Sequence, residues 1–570
     1  MNKQRIVAGL ASVAMASTLV ACSGGSSSDA KTLTVSVNQS LTGQFTPQYA
    51  SSAYDQYVVN LCYESMLKYN ADNELEPVLA KDLPEVSEDG LTVTYKLEKG
   101  HKFSDGTEVT AKDVKFTFAT LADPSYAGPN GGGLENLVGY KEYNSGAAKE
   151  LTGIETPDDY TVVFHLVSPQ IDAVSTFGAM GITSADHYSK YKQGKVSVVE
   201  KNQEETCGSG AYQLKSYDKA SGASFVRNEE FKPEKGQYQV DRIVMKKTDV
   251  TTEVSELKKG TVDLIPEVIE TNKVSEASQD DNMAFNYYTR GAVGFVAMNA
   301  NNGATADKAV RQALMYATDR QGFCDSYFGW DKKASDEVKK VKGGYVPAAY
   351  WNPASESLGA VVRNEETIDG LNTYAFDMDK ANQVLDEAGW VRGADGIRKK
   401  DGQKLEIKFL LSEGNSVLET LIPIVKKTWG DLGVDLKQTT VDFSTLLSNI
   451  QDTSHDSEWN MCFLATSFTS NQDSSANDSY TNVPANMAVN NYSRINDQAL
   501  IDQLTKARAD SDEKQSKVDY AEAMKMAADD AGYMPVYSGM MFNLYNKKVD
   551  MTGTGTLRNW SQSMDTITVK

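Results

Sequence analysis

The chain has 570 residues, with 57 Lys and Arg against 78 Asp and Glu, and its formal charge of −21 leaves no excess of basic surface for phosphates, which argues against a nucleic-acid partner. A composition 40% hydrophobic and 24% charged is that of folded domains, and at roughly 100 to 200 residues per domain the length accommodates several. Only 14 Pro, 42 Gly and no long repeat exclude collagen-like, Pro-rich and solenoid chains.

At the N-terminus, Lys3 and Arg5 precede an apolar stretch from Ile6 to Val20. That stretch is shorter than the roughly 18 to 20 residues that cross a bilayer as a helix, so residues 1–21 are expected to be a signal peptide. Leu19-Val20-Ala21-Cys22 closes it and resembles the bacterial lipobox, in which the cysteine is acylated and becomes the first mature residue. Residues 22–31, rich in Ser and Gly, then make a flexible lipid-anchored tether. The competing reading is an ordinary secretory signal with an incidental Cys22.

The alternation from Thr32 to Val37 predicts a half-buried strand, and Tyr54, Tyr57, Val58 and Leu61 follow at helical spacing. Leu91 to Leu97 alternates again after the Asp89-Gly90 turn. Thr110 is expected to cap a helix, with Asp113 in the capping-box position and Val114, Phe118 and Leu121 on the apolar face. Further strands are expected from Tyr160 to Val167, Ala211 to Tyr217, Ser224 to Asn228 and Arg242 to Met245, with a short helix from Val254 to Lys258. Beyond about residue 290 the pattern becomes α/β. One helix is expected from Asp307 to Arg320, another between the N-cap Asp377 and the stop Gly389, and a third from Val417 to Leu432 in spite of Pro423. Asp401-Gly402 joins two short strands, and residues 498–530 hold one or two more helices.

The blocks that follow carry a resemblance. Pro77-Val78-Leu79-Ala80 leads into VSEDGLTVTYKLEKGHKFSDGTEVTAKDVKFTF from Val86 to Phe118. After it come DDYTVVFHL, GSGAYQL, LKKGTVDL, VAMNANNGATADKAVRQALMYATDR, KANQVLDEAGW and DGIRKKDGQKLEI, in that order. This series is similar to family 5 of the extracellular solute-binding proteins, the oligopeptide/dipeptide-binding class of ABC importers. The resemblance implies an α/β, two-lobed, periplasmic-binding-protein-like fold of type II, with an extra β-rich domain and a hinge-closing cleft. It implies lobe I from residues 30–62, 206–292 and 530–570, the extra domain from 63–205, and lobe II from 293–529. It also implies a monomer outside the cytoplasm that captures oligopeptides and hands them to the membrane subunits of a permease, held at the membrane by the lipid on Cys22, with no cofactor.

Candidate ligand residues follow from position in such a fold. Phe45 and Tyr54 come after the first strand, where Tyr54 serves equally as a core residue, and Tyr287 and Asn299 flank the first hinge crossing, where Asn299 can instead satisfy strand-end backbone. The family commonly takes an acid for the peptide ammonium from a W-x-x-D-Y-type loop in lobe II. Here the loop after Trp459 to Leu464 reads ATSFTSNQDSSAND, with Phe468 and then Thr469 where the acid would fall, and Asp473 four residues on. Asp473 is expected to be a solvent-facing loop acid rather than the ammonium's partner. That departure keeps open an oligosaccharide ligand, and a sensor role as well as import.

Catalytic and metal motifs are missing. His101, His165, His187 and His455 form no ligand-spaced cluster, no G-x-S-x-G elbow occurs, and Gly131 to Gly133 lack the Lys-Ser/Thr of a P-loop. An extracellular hydrolase is therefore the weakest alternative, and no metal is expected. Cys62, Cys207, Cys324 and Cys462 show no C-x-x-C spacing and are expected as buried small hydrophobes, with their disulfide status open.

Overall fold

The computed structural model describes residues 30–570 apart from 203, 469, 481–489 and 511. The signal peptide, the lipobox with Cys22 and candidate residue Thr469 lie outside the described residues. One sheet, twelve-stranded among the described residues, runs through most of the chain. Its order is Asp435–Val441, Glu406–Ser412, Met461–Ser467, Ala292–Met298, Tyr533–Asn546, Leu264–Val268, Thr32–Val37, Arg242–Lys247, Gly222–Arg227 and Tyr212–Asp218. Met283–Thr289 and Gly344–Tyr345 also pair with Tyr533–Asn546, which we call the return strand.

The return strand ties the two halves of this sheet together. Its first part pairs antiparallel with Gly294–Ala297, and from Met540 to Asn546 it pairs with Met283–Thr289. The chain thus passes from one half to the other at Arg290-Gly291 and again near Ser538-Gly539.

Period-two alternation sorts the cores on the two sides. Phe295 and Ala297 pack with Tyr350, Trp351, Trp459 and Tyr533, while Val296 and Met298 pack with Leu314, Phe323, Phe409 and Trp429. A strand covered on both faces reads as a continuous apolar run, as AVGFVAM does. In the other half, Val35, Tyr57, Phe225 and Trp560 form one core, and Leu257, Ile265, Phe542 and Leu544 another. A separate four-stranded sheet, Glu85–Val86, Thr92–Lys96, Thr161–His165 and Ile154–Asp158, buries Val93, Tyr95, Phe164 and Phe177 against the helix Ala111–Leu121.

Local signals account for the helix ends. Asp113 accepts from both the backbone N–H and the hydroxyl of Thr110 at 2.9 Å, closing the expected capping box. Asp377 caps Met378–Glu387, and Asn415 caps Ser416–Leu432, which tolerates Pro423. The helix expected from Asp307 to Arg320 stops at Tyr316, and a second one starts where it was expected to end. Lys308–Tyr316 ends, and Asp319 starts Arg320–Tyr327 by accepting from the Gly322 N–H at 2.8 Å, a competing N-cap inside the apolar pattern.

The four described cysteines are free and buried, and burial raises each thiol to about 12. Among the described residues no helix is long and apolar enough to cross a membrane.

Candidate ligand-binding cleft

The hinge crossing places unusual side chains in register. Tyr288 and Arg290 share one face of their strand by alternation, and the Arg290 N–H donates to the Gly539 carbonyl at 2.9 Å. Tyr537 lies next along the same face of the return strand, and the Arg290 guanidinium stands 5.0 Å over its ring. A Cβ on Gly294, opposite Tyr537, would run into that ring, so glycine is what lets the tyrosine lie across the hinge.

Beside the hinge the strand Leu264–Val268 is irregular between Ile265 and Val268, and Glu267 adopts a left-handed φ of 55°. Such bulges re-aim side chains, and a strained non-glycine residue points to function. The bulge turns the Glu267 carboxylate onto the hydroxyls of Tyr57 and Tyr288, the latter at 3.2 Å. Burial holds this carboxyl above the usual range against those two hydrogen bonds and the nearby charge of Arg290.

Next to it, Glu270 accepts from Lys273 at 3.1 Å and from the Ser416 hydroxyl at 3.2 Å. Tyr327 shares a 2.7 Å hydrogen bond with the same hydroxyl. Glu270 precedes the helix Thr271–Ala277, which follows the strand Leu264–Val268, and Ser416 opens the helix Ser416–Leu432, which follows Glu406–Ser412, so this contact joins elements from the two halves of the sheet. Lys273 also pairs with buried Glu253 at 2.5 Å, and Glu253 accepts from Ser36 at 3.1 Å and Asn38 at 3.4 Å. Tyr54 donates to Asn38 at 3.2 Å, and burial followed by Glu270, Glu267 and Glu253 pushes its hydroxyl up. This polar, aromatic site can hold a ligand through hydrogen bonds from both lobes. Among the described residues no group of three His, Cys, Asp or Glu is placed to bind a metal.

The sequence-derived candidates divide around this site. Tyr54 stands within it. Phe45 is a correction: fully buried, its ring packs edge-on against Tyr217 at 4.8 Å in the core. Tyr287 is half-exposed against Phe542, on the face opposite Tyr288, so the pleat turns the wrong tyrosine of the pair toward Glu267. Asn299 lies at the far end of its strand, about 25 Å from Gly291 at about 3.3 Å per residue. There its side chain serves backbone groups of Asn301 and Asp456. Phe468 donates its N–H to the hinge carbonyl of Gly291 at 2.7 Å, but its ring packs on Tyr350.

Asp473 is neither solvent-facing nor free: it is 4% exposed and accepts from the Trp351 indole at 2.8 Å. Burial raises its carboxyl, opposed by hydrogen bonds from Ser355, Trp351 and Ser357. Sequence reasoning missed Arg290, Glu267, Glu270, Tyr288, Tyr327 and Ser416. The one available signal was Arg290-Gly291 between two strand-like runs, a cation where the chain turns from one apolar strand to the next.

The segment around the four-stranded sheet meets the C-terminal helices at a second place. Arg508 forms two hydrogen bonds with Asp172, Nε to Oδ1 at 2.9 Å and Nη2 to Oδ2 at 2.7 Å, and the Ile171 N–H donates to the Arg508 carbonyl at 3.0 Å. Asn490 donates to the Pro129 carbonyl at 3.1 Å.

A shared sheet, a two-stranded crossing and a polar site touched by both halves define a two-lobed binding protein. The chain belongs to the bacterial extracellular solute-binding proteins, family 5, whose model, described as "family 5 Middle", matches residues 74–487. It is 24% identical over 507 residues to the oligopeptide-binding protein AppA of Bacillus subtilis (strain 168), covering 86% of this chain and 83% of that one. The structure of Bacillus subtilis AppA in complex with a nonapeptide matches with a TM-score of 0.79 at 20% identity, over 95% of this chain and 99% of that one. Lactococcal OppA complexed with an endogenous peptide in the closed conformation also gives 0.79, at 17% identity, over 95% and 100%. At these identities the structures speak for the fold.

Proposed function

We propose that this protein captures oligopeptides between its lobes outside the cytoplasm and delivers them to the membrane subunits of an ABC importer. The observation that carries the reading is the contact between Glu270 and Ser416, set among Tyr54, Tyr327 and Arg290. A ligand in that position touches both lobes, and only contacts made to both stabilise a closed form. Peptide as the ligand is supported by the two relatives AppA and OppA, named oligopeptide-binding proteins and solved with peptides bound. Other neighbours of the same fold are solved with a nickel–histidine complex and with agropinic acid. We divide the chain as its likeness to that family suggests: an extra domain over 63–205, lobe II over 293–529, and lobe I from the remainder of the mature chain. The protein works as a monomer anchored by lipid on Cys22.

Calorimetry with a mixed five-residue peptide pool and, separately, with malto-oligosaccharides tests the ligand class. Binding of peptide alone is expected; binding of sugar alone overturns it. Cys22→Ser should release the protein into the medium or leave it as precursor. Unchanged partitioning into detergent would end the anchoring proposal.

A further inference from the structure

One cation of the cleft, Arg290, forms no ion pair among the described residues. Arg290 is 6% exposed, and neither its Nε nor its Nη1 has a hydrogen-bond partner among the described residues. A buried guanidinium with empty donors costs free energy unless something charged completes it. The two nearby acids are already committed. Glu267 accepts from Tyr57 and Tyr288. Glu270 accepts from Lys273, Ser416 and the Ile269 N–H. The guanidinium carbon stands 5.0 Å over the Tyr537 ring, a favourable cation–π contact. Its charge is felt by Tyr54 of lobe I and by Tyr327 and Tyr345 beyond the hinge, in each case opposing the rise that burial imposes on the hydroxyl. Its buried, unpaired Nε and Nη1 thus lie at the crossing between the two halves of the sheet.

We propose that Arg290 selects the ligand of this cleft by its carboxylate, holding that group at the hinge. The inference rests on the reading of the interlobe cleft as the ligand site and names the chemistry that site demands. A carboxylate fits because guanidinium donors match its oxygens and the pair forms short charge-assisted hydrogen bonds. A dianion such as phosphate is disfavoured by the Glu267 carboxyl nearby, which repels a single negative charge less. The carboxylate belongs either to the end of a peptide or to an acidic side chain. Arg290 sits on the crossing itself, so binding there also completes a buried group of the hinge.

The test is calorimetry of the wild type, Arg290→Lys and Arg290→Gln with one neutral five-residue peptide in three forms. These are the free acid, the C-terminal amide, and an amide carrying one internal Glu. The wild type should bind the free acid at least tenfold more tightly than the plain amide. That ratio should fall to about one in Arg290→Gln and survive in part in Arg290→Lys. Recovery of affinity by the internal Glu assigns the carboxylate to a side chain; no recovery assigns it to the terminus. Equal affinity of all three forms in the wild type, or a preference that persists in Arg290→Gln, overturns the proposal.

Ligand-free Arg290→Gln should melt close to the wild type, because Nε and Nη1 donate to no protein acceptor among the described residues and the contact with Tyr537 is all the ring side loses. A drop of several degrees would make the residue structural and overturn it too. If the wild type binds none of the peptides, the peptide reading has failed on its own. The ligand released from purified protein then decides by mass spectrometry: a carboxylate compound absent from Arg290→Gln supports the proposal, and a carboxylate-free ligand retained by it does not.

Discussion

Asp473 shows how a single acid can lie in the right loop and still do other work. Its carboxylate is the acceptor for the Trp351 indole in a buried loop. Asp473→Ala leaves that indole unsatisfied and should lower stability by about 1 to 3 kcal/mol in urea unfolding, while Asp473→Asn, which keeps an acceptor, should cost less. Free and N-acetylated peptides should bind Asp473→Asn as they bind the wild type; a loss confined to the free amine would place Asp473 at the ligand. Asp478 gives a pH test. Burial, opposed by Arg508 and reinforced by Glu135 and Asp172, raises it from 3.8 to about 6. Between those values the folded protein holds more protons than the unfolded chain, so this residue makes stability fall as pH rises from about 4 to about 6 and stay level above. Asp478→Asn should therefore stabilise by about 1 to 2 kcal/mol at pH 7.5 and by almost nothing at pH 4, read from urea unfolding at the two pH values. Neither burial was visible in the sequence. The Ser/Thr/Asn/Asp-rich loop reads as solvated surface, and only tertiary packing against Trp351 and beside Asp172 and Arg508 makes it interior.

At the scale of elements, the pair between Arg508 and Asp172 joins the helix Gln498–Ala509 to the start of the helix Ala173–Gly178. Burial would raise Asp172, but the charge and hydrogen bonds of Arg508 hold its carboxyl below the usual range. Arg508→Ala or Asp172→Ala alone should each cost about 2 to 4 kcal/mol, because each strands a buried charge. The double variant should cost clearly less than the sum, as a denaturation cycle would measure. Simple additivity would mean that the pair is not coupled. Elements with local signals were legible: the Thr110–Asp113 capping box, the Asp377 cap and the alternating Thr32–Val37 strand. The return strand was not. Pro535 and Gly539 break the run YMPVYSGMMFNLYN, and its extended state is fixed by partners some 240 to 280 residues earlier in the chain, at Gly294–Ala297, Met283–Thr289 and Leu264–Val268. The cleft escaped for the same reason, because its residues meet only when that strand joins the halves.

At the scale of the molecule, the twelve-stranded sheet is continuous through the hinge, so the lobes can move as rigid bodies about two short crossings while their cores stay packed. The order of the family blocks made the two-lobed fold legible from sequence, because those blocks carry turns and caps that recur wherever the fold does. The candidate site was less legible, since its residues gather at the hinge and the one loop read for a ligand acid departs from the family pattern. The most direct measurement is native mass spectrometry of the mature protein, purified without added ligand and then mixed with a defined five-residue peptide. The expected result is one peptide per chain, carried from the cell or taken up from solution, and lost on denaturation. A protein that stays unliganded at peptide concentrations well above micromolar, or that carries only a sugar, would contradict peptide capture.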